Sequence, residues 1–322
     1  MKVKNFIKRN SVELSVFTFM VVLLFIFIVG SPRAFLNLNT YRAIFTIYPI
    51  LLMLACSLVF VVSSGDSDLS FPSTMGVALW TFAVVSTLIG SPVLALICAI
   101  LAGLLIGMIN GLLITKLKLS SLVVTLGMSF LLRGLIMIGT NGMGIPLVFL
   151  SGTTFRNIFV GRLFGWPVQM LWGLAFMIVC HLLFKRHRFG AHVCYSGDNR
   201  TSARETGIKV DRVKIGSYMM VGFAAAMAGV ISGLINNTFW PTTGDGYLLI
   251  TLAAVYLGGT PTWGGVGTII GAAMGAFILS FMETGIIAIG LTGFYTQFFF
   301  GLILVLALIS HKFSGVKRKG GE

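Results

Sequence analysis

The sequence predicts an all-α integral membrane protein of about ten transmembrane helices, with one broken or re-entrant segment near 247–267 and both termini in the cytoplasm. Three observations carry this expectation. Hydrophobic residues make up 57% of the chain and charged residues only 10%, with a mean hydropathy of +0.98, whereas soluble domains carry about 25% charged residues. The apolar residues gather into runs, most of them roughly 17–25 long, the length at which a helix crosses the hydrocarbon core, and not into the ten-residue alternation of barrel strands. The basic residues fall almost entirely on one predicted side.

The apolar runs lie at about 14–30, 43–62, 72–90, 92–114, 120–139, 167–184, 215–235, 247–258, 265–283 and 295–311. Lys2, Lys4, Lys8 and Arg9 precede the first. No small-x-small cleavage site follows it, so it reads as an uncleaved span. The run 247–258 is too short to span comfortably, and the string 258–267, GGTPTWGGVG, is rich in helix breakers. Such a segment is tolerated at membrane depth only when buried in protein.

Ten crossings place both termini on one side. The putative inner segments hold the four basic residues before the first span, Lys116 and Lys118, eight in 185–214, and Lys312, Lys317, Arg318 and Lys319. The outer segments hold Arg33, Arg42, Arg156 and Arg162. Positive charge concentrates on the cytoplasmic side of membrane proteins, so the chain reads as one transmembrane domain, 1–322, with its longest polar loop, 185–214, in the cytoplasm.

This charge topology also accounts for the formal charge of +14 without nucleic acid as a partner. The four cysteines show no metal-like or redox spacing, and the four histidines form no ligand pattern. No metal, cofactor or catalytic constellation is expected. A phosphate-binding loop of the G-x-x-x-x-G-K-[ST] type is absent, so any ATP chemistry belongs to another chain. Ionisable residues within spans mark ion-coupled carriers, and here they are scarce. Arg133 lies six residues from the outer end of its span, close enough to snorkel outward. Glu283 falls at a span end, and Asp245 sits in the outer loop ahead of the broken span. A stand-alone secondary carrier or channel for a small polar solute is therefore the alternative reading of function.

Asp66 and Asp68 lie in SSGDSDLSFPS, on the predicted inner side, where Asp68 or Ser70 can cap the helix that begins near Pro72. Gly103, Gly107 and Gly111 form a close-packing stripe, which Gly267, Gly271 and Gly275 repeat. Asn110 stands beside the first stripe and can hydrogen-bond across it. The glycine-rich outer loop 140–166 suits a membrane-surface segment, an outer partner's seat or a plain linker. In the 185–214 loop, Tyr195–Asn199 reads as a turn, Asp198 or Asn199 as a cap, Arg200–Thr206 as a short helix and Gly207 as its stop. A seven-residue helix is marginal alone, so it must pack on something. Physics leaves two occupants open, a groove on a soluble partner or anionic membrane lipid.

Four motifs in order resemble the permease subunits of the ribose/galactose-type ATP-binding-cassette sugar importers, the branched-chain amino acid/ribose permease family. They are Ser64-Gly65-x-x-Asp68-Leu69-Ser70; Asn110-Gly111 with Thr125-Leu126-Gly127 and Arg133-Gly134; Gly197-Asp198-Asn199-x-x-x-Ala203-x-x-x-Gly207-Ile208; and Leu257-Gly258-Gly259-Thr260 with Gly264-Gly265-x-Gly267-Thr268. The similarity runs from about 40 to 312. Asp66, Ser67, Pro72 and Asp198 depart from the usual pattern. The resemblance implies a permease of the bacterial inner membrane that translocates a small sugar or sugar-like polyol by alternating access. It implies a homodimer or a heterodimer with a paralogue, a cytoplasmic ATPase subunit and an extracytoplasmic sugar-binding protein. It assigns Gly197, Asp198, Asn199, Ala203, Arg204, Glu205 and Gly207 to ATPase coupling. Asp68, Ser70, Asn110, Arg133, Gly258, Gly259, Gly264 and Gly265 are the candidate gate or helix-packing residues.

Overall fold

A computed structural model describes residues 11–291 and 293–319. The basic residues before the first span lie outside the described residues. Each of the ten apolar runs falls on a helix. These are α1 (Ser11–Gly30), α3 (Leu38–Ser63), α4 (Phe71–Ile89), α5 (Pro92–Lys116), α6 (Ser121–Thr140), α8 (Gln169–Lys185), α11 (Val210–Asn236), α12 (Tyr247–Leu257), α13 (Ile269–Ala288) and α14 (Phe294–Lys319). Among the described residues four short helices complete the set: α2 (Pro32–Phe35), α7 (Thr154–Val160), α9 (Arg188–Asp198) and α10 (Arg200–Glu205). Six helices, α3, α4, α5, α6, α11 and α13, are long and apolar enough to cross a membrane, while the apolar parts of α1, α8, α12 and α14 are shorter. The protein is thus an all-α, multi-pass membrane protein.

Local chemistry sets the helix ends. Asn37 caps α3 by accepting from Asn39 N at 3.0 Å. Ser91 caps α5, with Pro92 pre-set at its first turn. Thr268 caps α13 by accepting from Gly271 N at 3.1 Å. Gly90, Asn141 and Asn237 end their helices in the left-handed conformation.

Helices α3 and α11 form the centre: 83% and 78% of their most apolar stretches are buried, against 28% for α5 and 17% for α6. They run antiparallel, since the start of α3 (Asn39–Ile50) faces the end of α11 (Ser232–Asn236). Two related triplets interlock around them, α3–α4–α5 and α11–α12–α13. Helix α5 packs on α11 as α13 packs on α3, and α4 packs on α11 as α12 packs on α3. In each triplet the central helix is followed by a non-helical stretch, 64–70 or 237–246.

Both glycine stripes are packing surfaces. Gly103 and Gly107 admit the backbone of Gly222 and Tyr218, and a Cβ on Gly111 would stand 2.7 Å from Ile215 Cα. Gly271 and Gly275 admit the carbonyls of Gly258 and Ala254. Small residues let helices approach where lipid gives no hydrophobic drive.

The broken segment is resolved into two parts. Eleven-residue α12 is about 16 Å long, roughly half a bilayer core, and the strand-free stretch 258–268 turns its chain back into α13. The 140–166 segment is ordered. It holds β1 (Ile145–Pro146), which pairs with β4 (Thr238–Phe239), a 3-10 turn (Val148–Leu150), α7, and a hairpin of β2 (Arg162–Leu163) with β3 (Trp166–Pro167). The hairpin turn, Phe164-Gly165, has φ of 51° and 82°, the left-handed pair that two-residue hairpins need.

Candidate functional site: a glycine junction and two packed loops

Three of the sequence motifs meet at one place. Gly265 N donates to Ser63 O at 2.9 Å, and Ser63 Oγ donates to Val266 O at 3.1 Å. A Cβ on Gly197 would collide with Ser63 O and stand 2.8 Å from Gly265 N. A Cβ on Gly264 would stand 2.8 Å from Gly65 N, and one on Gly265 would stand 3.2 Å from Asp198 Cβ. The end of α3, the end of α9 and the late glycine-rich stretch therefore touch backbone to backbone. Gly65, Gly264 and Gly265 also have φ near +80°, where L side chains are strained.

Gly197 and Asp198 are not in a turn, as the residue pattern suggests, but in the last turn of α9. No Pro or Gly interrupts 191–196, and Ser196 Oγ donates to His192 O, one turn back, at 2.6 Å. Asn199 then breaks the helix with extended backbone and caps the next one, its Oδ1 accepting from Thr201 N and Ser202 N, both at 3.0 Å. The short helix α10 spans Arg200–Glu205, and Gly207 stops it at φ +85°. Ala203 faces the body and is buried, while Thr201, Ser202, Arg204 and Glu205 are exposed. Arg204 Nη2 and Arg200 Nη2 both reach Asp211 Oδ1, at 2.8 and 3.5 Å, which ties α10 to the start of α11.

Asp68, Ser70 and Asn110 come together in the 64–70 stretch. Ser70 N and Oγ donate to Asp68 Oδ1 at 2.8 and 2.7 Å, and Asn110 Nδ2 donates to Ser70 Oγ at 2.8 Å. Asp68 thus holds the helix start, with Pro72 in the first turn of α4. Asn110 bonds to this loop, not across the stripe to α11, because the loop folds into the bundle. Leu69 N donates to Thr125 Oγ1 (3.0 Å), Ser67 N to Ser121 Oγ (3.2 Å), and Tyr218 Oη to Ser67 O (3.0 Å). Tyr218 lies about 12 Å into α11. The network pairs the backbone N–H groups of Ser67, Leu69 and Ser70 and the carbonyl of Ser67, the kind of pairing that irregular chain inside a membrane protein requires.

The partner of Asp66 is Lys214, whose Nζ lies 2.8 Å from Asp66 Oδ2, with side chains 6% and 11% exposed. Residue-by-residue reading missed this pair. Its signal is present in the sequence: an acid that departs from the family pattern, and a Lys one step before an apolar run.

Arg133 does not snorkel outward. Its guanidinium turns into the second non-helical stretch, donating to Pro241 O, to Thr243 O at 3.3 Å and to Asp245 Oδ1. Three acceptors converge there, so the inward route satisfies the charge better than a reach to solvent. Gly76 and Gly244 make room for this loop: a Cβ on Gly76 would meet Thr243 O at 3.0 Å, and one on Gly244 would collide with Pro72 O. The two non-helical stretches thus meet at the start of α4. Gly258 and Gly259 stand apart from these clusters. Gly258 packs on α13 at Gly271, and Gly259 turns the chain at φ +89°. Glu283 lies within α13, not at its end, and lines a small cavity with Thr40 and Ile44.

The profile described as "branched-chain amino acid transport system / permease component" matches residues 40–308. The ribose import permease protein RbsC of Escherichia coli (strain K12) is 32% identical over 262 residues, covering 80% of each chain. The autoinducer 2 import system permease protein LsrC of Yersinia enterocolitica is 32% identical over 284 residues, covering 86% of this chain and 76% of the relative. The motif order, the glycine junction that those motifs build and the length of the match agree, and the chain belongs to the permease-component family of the branched-chain amino acid transport systems, alongside import permeases for ribose and autoinducer 2.

Proposed function

We propose that the chain is the membrane permease subunit of an ATP-driven importer in the bacterial inner membrane, moving a small sugar or sugar-like polyol by alternating access. A separate cytoplasmic ATPase supplies the energy, an extracytoplasmic binding protein delivers the solute, and the permease works as a dimer with itself or a paralogue. The observation that carries this reading is the joint between α10 and the bundle. Helix α10 offers an exposed polar face outside the membrane, and its cap residue follows directly on Gly197-Asp198, which touch Gly65 and Gly264–Gly265. A push on α10 moves against backbone that leads into the 64–70 stretch and into the 258–268 turn ahead of α13. Such a lever suits a helix that docks in a groove of the ATPase. Relatives named as import permeases for ribose and for autoinducer 2 support the solute class.

The test is reconstitution. The permease with its ATPase and binding protein should import sugar into liposomes on ATP addition, and the permease alone should not. Deleting 200–206 should abolish co-purification with the ATPase while membrane insertion persists. Solute movement by the permease alone, down or against an ion gradient, would overturn the reading in favour of a secondary carrier.

A further inference from the structure

A cavity of about 520 Å³ opens between the start of α3, the β2–β3 hairpin, the end of α11 and the start of α12. Its volume lies within the roughly 300–1,000 Å³ of small-molecule sites. The polar lining is Arg42, Arg162, Asn39, Asn236, Thr46, Ser232 and Tyr247, and no acidic side chain lines it. Arg42 donates to Asn39 Oδ1 at 3.1 Å, yet its Nε is buried without an acceptor among the described residues. Arg162 has no ion pair among the described residues. Glu283 lines a neighbouring cavity that shares Ile47 with this one, and it pairs with neither arginine. The hairpin is shaped for the guanidinium: Gly165, at φ +82°, leaves Arg42 Nη2 3.0 Å from where a Cβ would stand.

Arg42 is half-buried, whereas Arg162 is exposed; a half-buried cation is normally paired, and this end of the molecule otherwise carries few basic residues. Two arginines facing one cavity with no counter-charge, ringed by amide and hydroxyl groups, form an incomplete site. Guanidinium groups match carboxylate and phosphate in geometry, and amides and hydroxyls match sugar hydroxyls. We infer that this cavity binds an anionic, polyhydroxylated solute of monosaccharide size, with Arg42 and Arg162 on its carboxylate or phosphate. The inference rests on the importer reading and narrows its solute class.

The test uses the full-length permease in phosphatidylcholine nanodiscs, with glucuronate, ribose 5-phosphate and ribose as calorimetric titrants. At least one of the two anionic sugars should bind more tightly than ribose. Arg42→Gln and Arg162→Gln should each weaken that binding by about tenfold or more, while the variants keep the thermal unfolding of the wild type. Gly165→Val, which crowds Arg42 without removing charge, should weaken it too. Equal binding of ribose and the anions, no binding of either anion, or unchanged affinity in both arginine variants would overturn the assignment. So would stabilisation by phosphatidylglycerol nanodiscs that depends on Arg42 while neither sugar anion binds, because the occupant would then be a lipid headgroup. ATPase co-purification is a separate readout, so failure here is distinguishable from failure of the importer reading.

Discussion

Lys214 Nζ lies 2.8 Å from Asp66 Oδ2, and both side chains are almost fully buried. This pair joins the foot of α11 to the 64–70 stretch that precedes α4. Removing one partner of such a pair leaves an uncompensated buried charge, typically costing about 3–5 kcal/mol, whereas replacing both by apolar groups is often close to neutral. Asp66→Ala and Lys214→Met should each lower the thermal stability of the purified permease, and the double variant should recover most of the loss. A double variant as unstable as the sum of the two singles would show that the charges do not act as a pair.

The glycine junction makes a sharper demand. Gly197→Ala places a methyl group into Ser63 O and Gly265 N. The obstacle is backbone on both sides, so relief requires α9 to shift, and overpacking of this kind costs about 1–3 kcal/mol or more. Gly207→Ala meets nothing within 4 Å and carries only the strain of a positive φ, about 1 kcal/mol. Fluorescence-detected size-exclusion chromatography should show a large loss of folded material for Gly197→Ala and little for Gly207→Ala. Equal behaviour of the two would remove the junction from the account.

Arg133 holds the 241–245 loop by three acceptors at once. A lysine keeps the charge but not the planar fork. Arg133→Lys and Arg133→Gln should both raise amide hydrogen exchange in peptides covering 240–247, with glutamine the more severe. Exchange in α5 should stay unchanged, since Arg133 makes no bond there. Unaltered protection of 240–247 in both variants would show that the loop is held by its packing on Pro72 alone.

The elements were legible because lipid imposes a length and a composition on every crossing. Each apolar run is a helix, and the charges that end α5 and begin α11 were visible as Lys116 and Lys214. Pairings between segments were not legible. Asn110 carries no mark of whether it bonds to α11 or to Ser70, because that depends on how far the 64–70 stretch folds back. The sequence around Arg133 points it to solvent because Pro241, Thr243 and Asp245 lie more than a hundred residues away and only the fold brings them near. The Tyr195–Asn199 stretch reads as a turn from its Ser-Gly-Asp-Asn composition. Burial of Val193 and Ser196 against the bundle and the close approach of Gly197 to α3 override that propensity.

Asn199 is the hinge residue between α9 and α10, and its cap is the part of the proposed coupling segment most open to a clean test. Its side chain satisfies two of the free amides of a six-residue helix, a helix too short to persist on propensity. Losing the cap costs about 1 kcal/mol, small against the stability of the whole bundle but large for α10. Arg200 and Arg204 add only surface ion pairs to Asp211, worth about 0.2–1 kcal/mol each, so they do not replace it. Asn199→Ala should leave thermal unfolding and membrane insertion near wild type, raise hydrogen exchange across 200–206, and reduce ATPase co-purification and solute-stimulated ATP hydrolysis. Asn199→Asp and Asn199→Ser retain a capping oxygen and should restore both. If the alanine variant lost helix protection yet kept full ATPase association, α10 would not be the docking element, and the exposed end of α9 around Tyr195 would take its place.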